Sequence, residues 1–134
     1  MTTTELWDAI AAALVPLGAE IDGLQVLGRG MLNPNPTPPS LDVYPGDPFL
    51  TGAGMGVGQS RAYFTIRARV GTADSEAGQR LLVRLLDPQD PASVEAAVQD
   101  VAVVVPDGTS GFREYDAGEG NRLLGAEWRV SQFL

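Results

Sequence analysis

The 134-residue chain contains no cysteine, no histidine and no lysine. Without cysteine there is no disulfide framework, no thiolate nucleophile and no thiolate metal site. Without histidine, the commonest general base and the commonest transition-metal ligand are missing, and so is every Ser-His or Cys-His arrangement. Without lysine, neither a Walker-type phosphate loop nor Schiff-base chemistry is available. Carboxylates alone could still do acid/base work. The pairs that stand out, Asp87 with Asp90 and Asp42 with Asp47, read more simply as a helix end and a turn. The chain therefore reads as a non-enzyme, with no cofactor.

Also missing is any apolar run approaching the roughly 20 residues that cross a bilayer, and the start MTTTELWDAI lacks the basic residues of a signal peptide. A cytosolic protein with no membrane partner is the expectation. Nine arginines face 17 carboxylates, a net charge of −8, which argues against a nucleic-acid surface. With 44% hydrophobic residues the chain has the composition of one folded domain, 1–134, able to bury a real core.

The clearest local pattern is RAYFTIRARVGTADSEAGQRLLVRLLDP, 61–88. Phe64, Ile66, Ala68 and Val70 alternate with Thr65, Arg67 and Arg69, the period of a strand with one buried and one wet face. Gly71 breaks it. Thr72 and Asp74 are candidate caps for a helix with Glu76 in its first turn and a buried stripe of Ala77, Leu81, Leu82, Leu85 and Leu86, ended by Asp87-Pro88. Strand and helix joined by so short a turn place the helix on one sheet face, and this unit should form the domain's centre.

Upstream, Leu6, Ile10, Ala13, Leu14 and Leu17 recur at helical spacing, with threonines as N-caps, Trp7 at the margin of the stripe, Pro16 in the last turn and Gly18 as a stop. Leu24 begins a brief strand. The segment 31–40 holds four prolines in ten residues and reads as an extended surface connection. Leu41 and Val43 give a short strand ended by the turn Tyr44-Pro-Gly-Asp-Pro48.

The segment 49–60 spaces its glycines as G-x-G-x-G-x-G, which is not a dinucleotide fingerprint and precedes no helix that would hold a phosphate. It reads either as a plain loop joining two strands of a hairpin or as a loop that orders against a partner through Phe49, Leu50, Met55 and Val57. Downstream, Ser93 caps a short helix from Val94. Val101 to Val105 is its end or a buried strand. Gly111–Tyr115 and Leu123–Phe133 form a last hairpin, with Leu124, Ala126, Trp128 and Val130 facing inward and Glu127, Arg129 and Ser131 outward. The acidic turn 116–121 resembles a calcium loop in composition only. The expected architecture is α+β, a mostly antiparallel sheet of four to five strands with helices packed mainly on one face.

Three segments, PSLDVYPGDP (39–48), FTIRARVGTADSEAGQRLLVRLLD (64–87) and LLGAEWRV (123–130), in this order and with these gaps, resemble the tail terminator proteins of long-tailed, siphovirus-type phages of actinobacteria. The central segment, with RARVGTAD followed by EAGQ, is the specific part. The first forty residues are only generically similar, and 51–59 departs from the family pattern.

The resemblance implies a non-catalytic virion protein that assembles in the host cytoplasm. It would form a six-membered ring on the tail tube, end tube growth and join the tail to the neck proteins of the head. Its partners would be further copies of itself, the tube protein and the head-tail connector, with DNA passing through the channel without specific binding and the acidic surplus keeping that DNA from sticking. Phe49, Leu50, Met55, Val57, Arg67, Arg69 and Arg129, for which the sequence suggests no intrachain role, are the candidate subunit or tube contacts. Two other readings stay open, another neck or head-completion protein and a cytosolic small-molecule-binding regulatory module.

Overall fold

The computed structural model describes residues 2–27, 38–52, 60–72, 74–116 and 122–134. Helix α1 runs from Thr3 to Glu20 and is followed by β1 (Gln25–Leu27), β2 (Ser40–Gly52) and β3 (Ser60–Thr72). Two helices, α2 (Glu76–Leu86) and α3 (Val94–Val98), precede β4 (Val103–Thr109), β5 (Arg113–Asp116) and β6 (Arg122–Phe133). The protein is α+β, with one mixed sheet of six strands among the described residues, in the order β1-β2-β3-β6-β4 and with β5 beside β4 along β6.

The strand count exceeds the four to five expected because β4 and β5 share one edge of β6. Their pairing runs from Val103 opposite Ser131 to Asp116 opposite Arg122. The β1–β2 pair is parallel, which no short-range pattern signals, whereas β2–β3, β3–β6, β4–β6 and β5–β6 are antiparallel.

The strand at the centre has the expected alternation. Ala62, Phe64, Ile66 and Ala68 of β3 are buried beside Leu41 and Val43 of β2 and Ala126, Trp128 and Val130 of β6. They join Leu6, Ile10, Leu14 and Leu17 of α1, Leu82 and Leu85 of α2, and Val94 and Val98 of α3 in a single core cluster. Trp7 lies at the margin of this core. Its ring tilts against Phe64 at 5.7 Å, and its indole N–H donates to the Val43 carbonyl at 3.2 Å.

Four local expectations are corrected. Pro16 and Gly18 do not end α1, which continues to Glu20. A Cβ at Gly18 would sit 3.3 Å from the Leu24 carbonyl oxygen, so this glycine permits close approach of the chain entering β1. The turn at 44–48 is no strand end. The β2 strand passes through it, with a register shift between Pro45, opposite Phe64, and Leu50, opposite Ala62. The bulge absorbs Gly46, Asp47 and Pro48, which would disrupt a regular ladder.

In α2 the cap is Ser75, whose hydroxyl accepts from the Gly78 N–H at 3.1 Å, rather than Thr72 or Asp74. Gly78 is buried where Ala77 was expected, and Ala77 is exposed. A Cβ at Gly78 would meet the Val70 carbonyl oxygen at 3.1 Å, a tight approach of the helix to β3. The ambiguous 101–105 stretch divides, with Val101 in the turn after α3 and Val103–Val105 in β4. Expectations for 31–37, 53–59 and 117–121 lie outside the described residues.

Phe64 joins the central strand to both Trp7 and Phe49, the latter edge-on at 5.4 Å. Phe64→Ala should cost roughly 3–5 kcal/mol of folding free energy, read as a lower urea midpoint with unchanged slope. A loss near that of a surface substitution would show that the core does not centre on β3.

Candidate functional site

The sheet face that carries Arg67, Arg69 and Arg129 is a cross-strand lattice. The register aligns Asp42, Arg67 and Glu127 across β2, β3 and β6, and the next polar rows are Tyr44, Thr65, Arg129 and Ser40, Arg69, Gly125. Side chains on neighbouring strands in such rows stand close enough to pair.

Arg69 reaches diagonally to Asp42, its guanidinium donating to Oδ2 at 3.0 Å, and Tyr44 donates its hydroxyl to the same oxygen at 3.1 Å. Asp42 is fully buried and Arg69 is 6% exposed, so this part of the face is not wet as expected. Burial raises the Asp42 carboxyl above its ordinary range, against the opposing pull of Arg69 and of the Tyr44 hydrogen bond. Oδ1 of the same carboxylate has no hydrogen-bond partner.

Arg67 donates from Nε to Glu127 Oε2 at 2.8 Å, and its guanidinium lies 4.6 Å from the Tyr44 ring centre and 5.1 Å from that of Tyr115. Glu127 also accepts from the Tyr115 hydroxyl at 2.8 Å and from Arg113 at 3.1 Å. Burial pushes the Glu127 carboxyl up, but the Tyr115 hydrogen bond and the Arg67 and Arg113 charges outweigh it and hold the group below its ordinary value. For Tyr115, burial and then the hydrogen bond to Glu127 push the phenol well above its ordinary value.

Tyr115 can lie across β6 only because residue 125 is glycine. A Cβ there would collide with the Ala68 carbonyl oxygen and come within 2.7 Å of the Tyr115 ring. The ring thereby also reaches Arg69, at 5.4 Å.

Five of the seven predicted contact residues are among those described. Arg67 and Arg69 are engaged within the chain, which removes the reason for assigning them to a neighbour. Arg129 stacks on Tyr63 at 4.3 Å but forms no hydrogen bond or ion pair with a described residue, and its Nε is buried without a partner. Phe49 packs edge-on against Phe64, so it too serves the core. Leu50 is 49% exposed at the hairpin end of β2. Met55 and Val57 lie outside the described residues.

Sequence reasoning missed Asp42, Glu127 and Tyr115 as partners of these arginines. Their pairing depends on register, and only the polar positions of the separate strands were visible. It also missed Val103 and Phe133, 55% and 47% exposed, on this face near the hairpin end. There Phe133 lies under the Arg61 guanidinium at 4.7 Å, and Arg61 Nε donates to Ser131 Oγ at 2.9 Å. Chemically the face offers guanidinium-aromatic stacks with an apolar margin.

Two measurements examine this lattice. Arg69→Met strands a buried carboxylate and should cost roughly 3–5 kcal/mol near neutral pH, whereas the double variant Asp42→Leu/Arg69→Met should lose less than Arg69→Met alone. The Asp42 carboxyl is raised in the folded state, so its contribution to stability is greatest below 3.8, its ordinary value, and is lost as pH rises through the folded value. The Arg69→Met deficit should accordingly shrink on acidification. Glu127 behaves oppositely. Its contribution is present above the ordinary value of 4.5 and is lost as pH falls through its depressed folded value. Urea midpoints of the native protein should therefore fall more steeply below pH 4.5 than those of Glu127→Gln. Parallel acid limbs would contradict the assignment.

No protein-family model matches the chain, and no curated protein matches it significantly.

Proposed function

We propose that this chain is a ring-forming tail terminator of a siphovirus-type phage, capping the tail tube and joining it to the neck of the head. The observation that supports this reading is spatial. The three segments that carry the resemblance, 39–48, 64–87 and 123–130, are far apart in the chain but become neighbours, forming the first half of β2, the β3–α2 unit and most of β6. A resemblance scattered by chance along 134 residues has no reason to coincide with one contiguous block of the fold.

The surface agrees with an assembly role. Near one end of the sheet Val103 and Phe133 are exposed on the arginine-bearing face and Leu50, opposite Ala62, on the other face, and Val83 and Phe112 are exposed beside α2. Exposed apolar side chains on separate parts of one subunit suit a head-to-tail contact that closes into a ring. The excess of carboxylates, at net −8, would keep DNA in the channel from adhering. No helix among the described residues is long and apolar enough to cross a membrane.

One feature favours the small-molecule module. A groove of about 480 Å³, lined by Glu76, Gln79, Arg80, Val83 and Phe112, is large enough for a small ligand. Mass in solution separates the two readings. Sedimentation of the native chain at rising concentration, alone and with its tube protein, should show a ring-sized species, and Leu50→Asp should abolish it without changing the folded-state circular dichroism. A species that stays monomeric under all these conditions overturns the terminator reading.

A further inference from the structure

Arg129 differs from the other arginines of the sheet face. Arg67, Arg69 and Arg113 each hold a carboxylate, at 2.8, 3.0 and 3.1 Å, and Arg61 donates to Ser131 Oγ at 2.9 Å. Arg129 has no hydrogen-bond or ion-pair partner among the described residues, although its Nε is buried. A buried donor without an acceptor destabilises the fold that contains it, and such groups are uncommon unless water or a ligand completes them.

The backbone around this side chain is also irregular. Along the β4–β6 ladder, Val104 faces Val130 and Thr109 faces Trp128, so the four residues 105–108 stand opposite Arg129 alone. This bulge folds tightly onto it. Asp107 has φ 58°, and a Cβ at Gly108 would lie 2.7 Å from the Val105 carbonyl oxygen and 3.1 Å from the Arg129 Cβ. Between the bulge and the sheet is a cavity of about 300 Å³, lined by Thr65, Asp107, Thr109, Arg113 and Arg129 among others.

We propose that this cavity is a receptor for a single carboxylate carried beside an apolar side chain, with Arg129 as its anchor. The charge balance favours a monoanion. Glu127 is already answered by Arg67 and Arg113, and Asp107 is the remaining anion of the lining, so a dianion such as phosphate would bring excess negative charge beside two carboxylates. The ring of Tyr63 under the guanidinium fixes the plane of its N–H groups, which suits in-plane recognition of a carboxylate.

The apolar half comes from the same face. Ser131 is the next residue after Arg129 on this side of β6, Val103 stands opposite Ser131, and Phe133 follows it. Val103 thus stands diagonally from Arg129 and Phe133 one step farther along β6, and both side chains are about half exposed. An acidic chain end, or an aspartate or glutamate flanked by an apolar residue on a partner protein, has this combination of groups. The proposal is independent of ring formation.

The test is a titration of the full-length chain with acetate, N-acetyl-leucine and inorganic phosphate at constant ionic strength, following the Arg129 Nε–H resonance by NMR. Both carboxylates should shift it saturably, N-acetyl-leucine binding roughly threefold to tenfold tighter than acetate and phosphate no tighter than acetate. Arg129→Gln should lose all binding. Val103→Ser, a change at an exposed position that leaves the fold intact, should keep acetate binding and lose the advantage of the leucine derivative. An Nε–H signal indifferent to carboxylates overturns the proposal, since water alone then completes the cavity. Tighter binding of phosphate overturns the monoanion assignment, and an unaltered preference in Val103→Ser overturns the apolar half.

Discussion

The constraint on which the outer face depends is the burial of one ion pair, Arg69 with Asp42. A guanidinium and a carboxylate withdrawn from water are tolerated only when geometry and further hydrogen bonds compensate their lost hydration. The arrangement around them follows from that requirement. The Tyr44 hydroxyl supplies a second donor to Asp42, and Tyr115 lies against both Arg69 and Arg67. For Tyr115 to arrive there, β6 must have no side chain at Gly125, and for the ring to stay, Glu127 must accept its hydroxyl. Glu127 then requires its own cations, Arg67 and Arg113. Four strands, β2, β3, β5 and β6, are thus tied together by charges as well as by the apolar layer beneath.

That apolar layer was legible from the order of residues. The alternation of Phe64, Ile66 and Ala68, its counterpart in Ala126, Trp128 and Val130, and the stripe Leu6, Ile10, Leu14 of α1 all reflect periodicity within one element, and periodicity is local. What was not legible depends on neighbours. The β1–β2 parallel pairing, the bulges opposite Tyr63 and Arg129, and the ion pairs of Arg67 and Arg69 are properties of register between strands far apart in the chain. Turn chemistry misled at 44–48 because a bulge and a chain reversal use the same residues. Glycine misled at Gly18 because close approach and helix termination both favour it.

The candidate contact residues divide along the same line. Leu50 was identifiable as an apolar residue with no periodic role, and it is exposed. Phe49 looked equivalent, but its partner Phe64 lies on another strand. Arg129 was grouped with Arg67 and Arg69 by alternation. Only the register distinguishes it, since its neighbours across the ladder are Thr65 and a displaced bulge whose Asp107 forms no ion pair with it.

The short length of β1 has a consequence for how copies of this chain could meet. It covers β2 only from Ser40 to Asp42, so beyond that point the outer edge of β2 pairs with no strand among the described residues. An open edge of that kind ordinarily invites another strand to extend the sheet. Here Pro45 and Pro48 remove two amide donors, and the bulge between Pro45 and Leu50 bends the edge out of line. The subunit is therefore ill suited to growth by continuous hydrogen-bonded sheet along this side. Copies that met along this edge would do so through side chains rather than by extending the sheet.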